Sequence, residues 1–326
     1  MHARRQLLVL AALGVTQAWS LLANAQRQAK VWRLRYLGVL SRNVYYEAFV
    51  QGMRDLGYVE GKNLFIELRF AEGNYERLPG LAAELVNLKV DAILASSTPA
   101  VSAAKRATAS IPIVMGVSGD PLGAGFVKSL ARPGGNITGT ATPMTDFVPK
   151  QIELLRRMVR KLSRLGVLLN PGNASNRAIS KSVETAAQRA GVKVFADEVR
   201  TPGEIASALQ AQRQQGVEAV IVLPDGLLLQ QRGQIAELAA KYRLPTMYQL
   251  REHVEAGGLM SYGQDLLYNH RLAATYVDRI FRGANPGELP VEQSSRLELV
   301  INGKTAKALG LTIPADVKVL ADRVIE

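Results

Sequence analysis

Cysteine is absent from the 326 residues. This excludes disulfides, thiolate metal sites, a cysteine nucleophile and a lipid-modified N-terminal cysteine. Histidine is nearly absent: only His2, His253 and His270 occur. None has the spacing of a metal pair, and His253 and His270 are expected to be surface or structural residues. Low hydrophobicity combined with high charge is also missing, since 48% of residues are apolar and 21% charged, so the chain is not disordered. After the first 25 residues no apolar run approaches the 18 that would signal a membrane span. Acidic residues are the minority charge, and the formal net charge is +12. Nucleic-acid binding would need the basic residues gathered on one element and interleaved with aromatics. Here they are spread along the chain, and aromatics make up only 6%. Nucleic acid is therefore set aside as a partner.

At the N-terminus, Met1-His2-Ala3-Arg4-Arg5 precedes an apolar run over 7–15, and Ala23-Asn24-Ala25 has the small-x-small form of a cleavage site. These are the three parts of a secretory signal peptide, assigned to residues 1–25. Thr16, Gln17 and Ser20 interrupt the run, which argues against a membrane anchor. Arg4-Arg5-Gln6-Leu7-Leu8 also fits a twin-arginine signal, so the export route stays open. The expected location is periplasmic: exported, soluble and not a lipoprotein.

The remainder alternates strand and helix. Apolar runs at 35–40, 64–70, 90–95 and 113–117 read as strands, and the segments 45–56, 75–88 and 99–107 have apolar residues at helical spacing. The pattern then restarts. Arg35-Tyr36-Leu37-Gly38-Val39-Leu40 returns as Arg164-Leu165-Gly166-Val167-Leu168, and Val90-Asp91-Ala92-Ile93-Leu94 returns as Val217-Glu218-Ala219-Val220-Ile221. The segment 192–199 matches 63–70, and Leu244-Pro245-Thr246-Met247 matches Ile111-Pro112-Ile113-Val114. A near-constant offset over four elements implies an α/β fold of two similar doubly wound parallel-sheet lobes joined by a hinge, with the ligand site in the cleft between them. After Leu250 the pattern breaks into a glycine-flanked strand, a long amphipathic helix over 266–282, a linker, a strand and a short helix. This is what a tail crossing back between two lobes looks like. Lobe 1 is assigned to 31–142 plus 262–283, and lobe 2 to 143–261 plus 288–326.

Catalytic and cofactor motifs are missing. There is no Gly-x-Ser-x-Gly elbow, no Gly-x-Gly-x-x-Gly after the first strand, and Gly303-Lys304-Thr305 lacks the earlier glycine of a phosphate loop. No cofactor and no metal are expected. What remains is a set of polar loops at the carboxyl ends of strands, where open α/β sheets bind ligands. Ser41 and Asn43 follow the first strand, Ser96-Ser97-Thr98 the third and Asp120 the fourth. Asn170 and Asn173 follow the first strand of the second half, and Asp225 follows its third. Tyr248 and Glu252 complete the candidate ligand-binding set. Each of the Ser, Thr, Asn and Asp side chains is equally suited to capping its own helix.

Longer motifs add a resemblance. These are Tyr58-Val59-Glu60-Gly61-Lys62-Asn63-Leu64, Gly119-Asp120-Pro121-Leu122-Gly123-Ala124-Gly125, the stretch Ala131-Arg132-Pro133-Gly134-Gly135-Asn136-Ile137-Thr138-Gly139, and Gly257-Gly258-Leu259-Met260-Ser261-Tyr262-Gly263. Through them nearly the whole chain after residue 25 resembles ABC transporter substrate-binding proteins of the tryptophan/tyrosine-binding-like group. The resemblance implies a type I periplasmic-binding fold, three crossovers and a small ligand clamped between the lobes. It also implies an ABC permease in the inner membrane as partner and a monomer. The loop Leu223-Pro224-Asp225-Gly226 keeps an acid that could meet an amine but lacks the amide of the amino-acid binders' loop. A helix start at Ser97 suits a carboxylate, so the expected ligand is carboxylate-bearing and amino-acid-like. The competing expectations are an exported hydrolase or lyase using Asp120, Asp225 or Glu252, and a ligand-sensing partner of a membrane receptor. The mature protein is predicted to start at Gln26. N-terminal sequencing of secreted material checks this, and recovery of chains with Met1 intact would refute it.

Overall fold

A computed structural model describes residues 30–293 and 296–326; the signal-peptide assignment lies outside these residues. The first half of the chain runs β1 (Trp32–Gly38), α1 (Val44–Asp55), β2 (Leu64–Phe70), α2 (Leu78–Val86), β3 (Ala92–Ala95), α3 (Thr98–Ala107), β4 (Ile113–Met115) and β5 (Ile137–Ala141). The strands order as β5-β4-β3-β1-β2, all parallel. α4 (Val148–Met158) leads into the second half: β6 (Arg164–Leu169), α5 (Ala174–Arg189), β7 (Lys193–Glu198), α6 (Glu204–Gln214), β8 (Ala219–Val222), α7 (Gly226–Gln230), α8 (Arg232–Tyr242), β9 (Thr246–Tyr248), α9 (Arg251–Glu255) and β10 (Met260–Gln264). Its strands order as β10-β9-β8-β6-β7, again parallel. The sequence repeat is therefore a repeat of topology: β1, β2, β3 and β4 correspond to β6, β7, β8 and β9 in both order and direction.

The tail then crosses back. α10 (Leu266–Phe281) packs on α1, and β11 (Glu292–Gln293) pairs in parallel with β5 in the first sheet. β12 (Leu297–Asn302) returns to the second sheet antiparallel to β10, followed by α11 (Gly303–Ala308), α12 (Ala315–Leu320) and β13 (Arg323–Ile325), which pairs in parallel with β12. The returning segment is thus displaced from 262–283: Tyr262 and Gly263 are strand residues of the second sheet, and pairing with the first sheet extends to Gln293. Two sequence expectations shift for physical reasons. The first strand starts earlier, at Trp32, because Arg35 within it is buried by an ion pair with Glu67 (2.7 Å), its register partner on β2. Val39 and Leu40, expected inside that strand, lie past its carboxyl end.

Two of the crossing segments are tied to each other. The Thr142 hydroxyl, just after β5, donates to Gln264 Oε1 at the end of β10 (2.7 Å), and Asn269 Nδ2 on α10 donates to both Thr142 Oγ1 (3.3 Å) and Gln264 Oε1 (3.2 Å). α10 is anchored to the first lobe by close packing. A Cβ on Gly52 of α1 would lie 2.9 Å from Ala274 Cβ and 3.0 Å from the Arg271 carbonyl oxygen. In an exposed helix, replacing Gly by Ala stabilises by about 1 kcal/mol. Here the added methyl must push two helices apart, and overpacking costs about 1–3 kcal/mol. Gly52→Ala is therefore expected to lower stability, by about 1 kcal/mol net, as a fall in the denaturant midpoint. A raised midpoint would show that the two helices are not held at this distance.

Candidate functional site

Because β1, β2 and β3, like β6, β7 and β8, are each followed by a helix, the helix starts of each lobe gather at the carboxyl edge of its sheet, and the two edges face each other. Between them lies a cavity of about 90 Å³. From the first lobe it is lined by Val39 and Leu40 after β1, Ser96, Ser97 and Thr98 after β3, Val117 and Gly119 after β4, together with Tyr36, Asn43, Tyr45 and Tyr75. Asn173, Ser175, Pro224, Asp225 and Gly226 face them from the second lobe, and Leu266 and His270 close one side from α10.

Five of the lining residues are helix N-caps: apolar Leu250 on the short α9, which has no capping group, and four polar ones, Asn43 on α1, Ser97 on α3, Asn173 on α5 and Asp225 on α7. Three of the polar four are engaged. The Asn43 side chain accepts from the Tyr45 and Tyr46 amides, Asn173 accepts from the Ser175 amide, and Asp225 accepts from the Leu227 and Leu228 amides. Ser97 is different. Its backbone is extended (φ −161°, ψ 162°) and Pro99 follows near the start of the helix, a good helix opening. Yet its side chain caps nothing, and its buried Oγ has no hydrogen-bond partner. The first amides of a helix have no intrahelical partner and carry about half a positive charge. No lysine or arginine lines the cavity and Asp225 is its one acid, so helix starts are the only positive ends in its wall.

Asp225 is the most heavily bonded side chain of the site. Oδ1 accepts from the Leu227 amide (2.9 Å), the Leu228 amide (3.4 Å) and Asn170 Nδ2 (3.2 Å). Oδ2 accepts from the Tyr75 hydroxyl (2.5 Å) and from Asn173 Nδ2 (3.4 Å). Burial pushes the Asp225 carboxyl upward, and these hydrogen bonds pull the other way. A carboxylate has about four lone-pair sites; five donors fill them. Tyr75, from the 3-10 turn before α2, spans the cleft: its hydroxyl donates to Asp225 and accepts from the Gly226 amide (3.1 Å). Burial raises the Tyr75 phenol well above its ordinary range, so it stays a donor. A second bond across the cleft joins the Ser175 hydroxyl to Thr98 Oγ1 (3.1 Å), which also accepts from the Gly119 amide (3.2 Å). The lobes are therefore closed on each other.

Of the residues singled out from sequence, Asn43, Ser96, Ser97, Thr98, Asn173 and Asp225 come together on the cavity wall. The others lie elsewhere. Ser41 is exposed on the loop beyond β1. Asp120 accepts from the Gly123 amide (2.7 Å) and closes its own turn. Asn170 is buried behind Asp225, orienting it and accepting from the Gly172 amide. Tyr248 is only 1% exposed and stacks on His253 (ring centroids 4.5 Å apart) inside the second lobe's core, because it is the last residue of β9 and not part of a loop. Glu252 lies in an adjoining groove with Arg232 and Arg251, its carboxyl raised by burial and interacting with the Tyr45 hydroxyl. The three carboxylates expected of a hydrolase thus do not converge. Among the described residues no cluster of three or more His, Asp or Glu side chains is placed to hold a metal ion.

Both described histidines are fully buried, so of the two expected alternatives, surface or structural, they are not surface residues. Apolar packing lowers the His253 imidazole to about 3 and that of His270 to about 4, so both are neutral. The cavity-lining aromatics Tyr45, Tyr75 and His270 were not among the candidates. Tyr45 has the helical spacing of a core residue, Tyr75 opens a helical segment, and His270 was expected as surface or structural; no local pattern marks a residue that reaches across to another lobe.

A family model described as ABC transporter substrate binding protein matches residues 39–325. A tyrosine-binding protein of Clostridioides difficile is 28% identical over 265 residues, covering 81% of this chain and 76% of that protein. Among solved structures, a conserved domain protein from Vibrio cholerae superposes with a TM-score of 0.85 at 28% identity, covering 90% of this chain and 100% of that one. An ABC domain from Streptococcus pneumoniae in complex with L-Trp superposes with a TM-score of 0.84 at 26% identity, covering 90% and 99%. The relatives are solute-binding proteins, not enzymes.

The two bonds across the cleft make a prediction. Tyr75→Phe removes the hydroxyl that joins the lobes and costs about 1.5–3 kcal/mol of closure, the range for a hydrogen bond to a charged group. Small-angle scattering of the ligand-free variant should show a larger radius of gyration than the parent protein. Equal radii would mean that this bond does not hold the lobes together.

Proposed function

We propose, from the premise that this chain belongs to the ABC transporter substrate-binding protein family, that it is an extracytoplasmic receptor that closes its two lobes on a small amino acid or close analogue and delivers it to an ABC permease. The observation that carries the ligand class is the vacant start of α3: of the four polar N-caps on the cavity wall, Ser97 alone makes no bond to its helix, and its hydroxyl is buried without a partner. A ligand carboxylate placed there would receive free helix amides and the Ser97 hydroxyl, the usual arrangement for an anion at a helix start. The relatives named for tyrosine binding and solved with L-Trp support an amino-acid ligand. The remaining wall is apolar and aromatic, formed by Tyr36, Tyr45, Leu229, Leu250 and Leu266, and suits a hydrophobic side chain. At about 90 Å³ the cavity is smaller than the roughly 150 Å³ of one that accepts benzene, so an aromatic side chain needs the lobes further apart than they stand here. Export through the N-terminal signal fits such a receptor. No helix among the described residues is long and apolar enough to cross a membrane.

The experiment is a thermal-shift screen of L-amino acids, small and aromatic, each beside its amide. A ligand at 100 times its dissociation constant adds about 2.7 kcal/mol to stability. The acids are expected to shift the transition, and the amides, which cannot present a carboxylate to α3, to bind at least about tenfold more weakly. Equal affinities for acid and amide would refute the carboxylate seat.

A further inference from the structure

His270 holds the clearest unmet demand of the cavity. It is 1% exposed, and its ring stacks on Tyr45 (centroids 5.1 Å apart, planes 18° apart), which fixes its plane. Its Nδ1 lies 2.8 Å from the Leu266 carbonyl oxygen one turn earlier on α10; a carbonyl only accepts, so Nδ1 carries the proton. That leaves Nε2 as a bare acceptor, buried and without a partner. An acceptor buried in this way is destabilising unless something donates to it. The ring lines the ligand cavity, and Gly116 connects it to the α3 start: a Cβ at Gly116 would be 3.1 Å from His270 Nε2 and 3.3 Å from Ser96 Cα. Only a residue without a side chain fits there unstrained, so Gly116 lets the histidine ring and the Ser96 turn approach each other this closely. The acid expected from sequence to take a ligand amine, Asp225, has its oxygens filled by five protein donors.

We propose that His270 Nε2 is the acceptor for the ligand's α-ammonium group, so that the Ser97 helix start and His270 together select a ligand whose carboxylate and ammonium sit on one carbon. The inference rests on the amino-acid reading given above. Asp225, in turn, is a positioning residue that caps α7 and holds Tyr75. A neutral imidazole suits this role because its lone pair stays available, and burial keeps the ring unprotonated down to about pH 4.

The test compares L-tyrosine, L-tryptophan and L-leucine with their des-amino acids 3-(4-hydroxyphenyl)propionate, indole-3-propionate and 4-methylpentanoate, by calorimetry. The parent protein should prefer at least one amino acid over its des-amino partner by about ten- to a hundredfold, the range for a hydrogen bond to a charged group. His270→Asn keeps a donor for the Leu266 carbonyl but loses the distal acceptor; it should bind amino acid and des-amino acid alike. His270→Gln, whose Oε1 reaches the position of Nε2, should recover part of the preference. Gly116→Ala leaves the histidine in place and crowds Nε2, so it should also lose the preference, and it serves if the histidine variants do not fold. An undiminished preference in His270→Asn, or in Gly116→Ala where the histidine variants do not fold, overturns the assignment of His270 and leaves the amino-acid reading intact. If the parent binds no amino acid of the thermal-shift screen, small or aromatic, both fall.

Discussion

Parallel strand order is the constraint from which the site follows. In each lobe five strands run one way, and the helices that connect them present their amide-rich ends at the same edge. Two such edges set face to face bring helix amides to a closed cavity that has no lysine or arginine in its wall. Each helix end is worth about 0.3–1 kcal/mol toward a nearby negative group at the surface and up to about 2 kcal/mol when partly buried. The chain engages three of the starts with its own Asn43, Asn173 and Asp225. The fourth, at Ser97, is left for something else. A binding pocket made this way has charge preference built into the backbone, and side chains are free to set shape.

The division between what the sequence discloses and what it hides follows the range of the interactions. Strand and helix alternation, the repeat between Gly38 and Gly166, and the polar loops at strand ends are local patterns, and they are legible. Ser97 and Asn173 stood out because helix starts have a residue signature. The same local reading gave Asp225 to the ligand. Its actual partners are Tyr75, 150 residues earlier, and Asn170 from the neighbouring loop, and only the closed lobes reveal them. Tyr75 and His270 were invisible as cavity residues for the same reason: nothing local marks a tyrosine or histidine as facing another lobe until the other half of the molecule is in place. Tyr248 was misplaced in the opposite sense. One more residue of strand than expected turns it inward, onto His253.

α10 combines two roles. It leaves the second sheet at Asp265, packs on α1 of the first lobe through Gly52 and Ala274, and carries Asn269 into the bonds that tie Thr142 to Gln264. One residue further on it delivers His270 to the cavity. The helix that lines the cavity is thus fastened to two of the segments that cross between the lobes. The cleft itself is held by few direct bonds, Tyr75 to Asp225 and Gly226, and Ser175 to Thr98. Few bonds of this kind total a handful of kcal/mol at most, an amount that ligand binding can shift in either direction.

The direction of the outermost strands has a practical side. β1 begins at Trp32 on the edge of its sheet away from the cleft, since its carboxyl end is the one that faces the ligand. β13, the last strand, runs parallel to β12 and so against the direction of β10, which turns its end at Ile325 away from the cleft as well. The beginning and the end of the folded chain therefore sit at the far poles of different lobes, where rotation about the crossings has its longest lever arm. Two fluorophores fused to the chain ends would convert lobe closure directly into a change in energy transfer, which makes the fold a ready frame for a genetically encoded sensor of its own ligand.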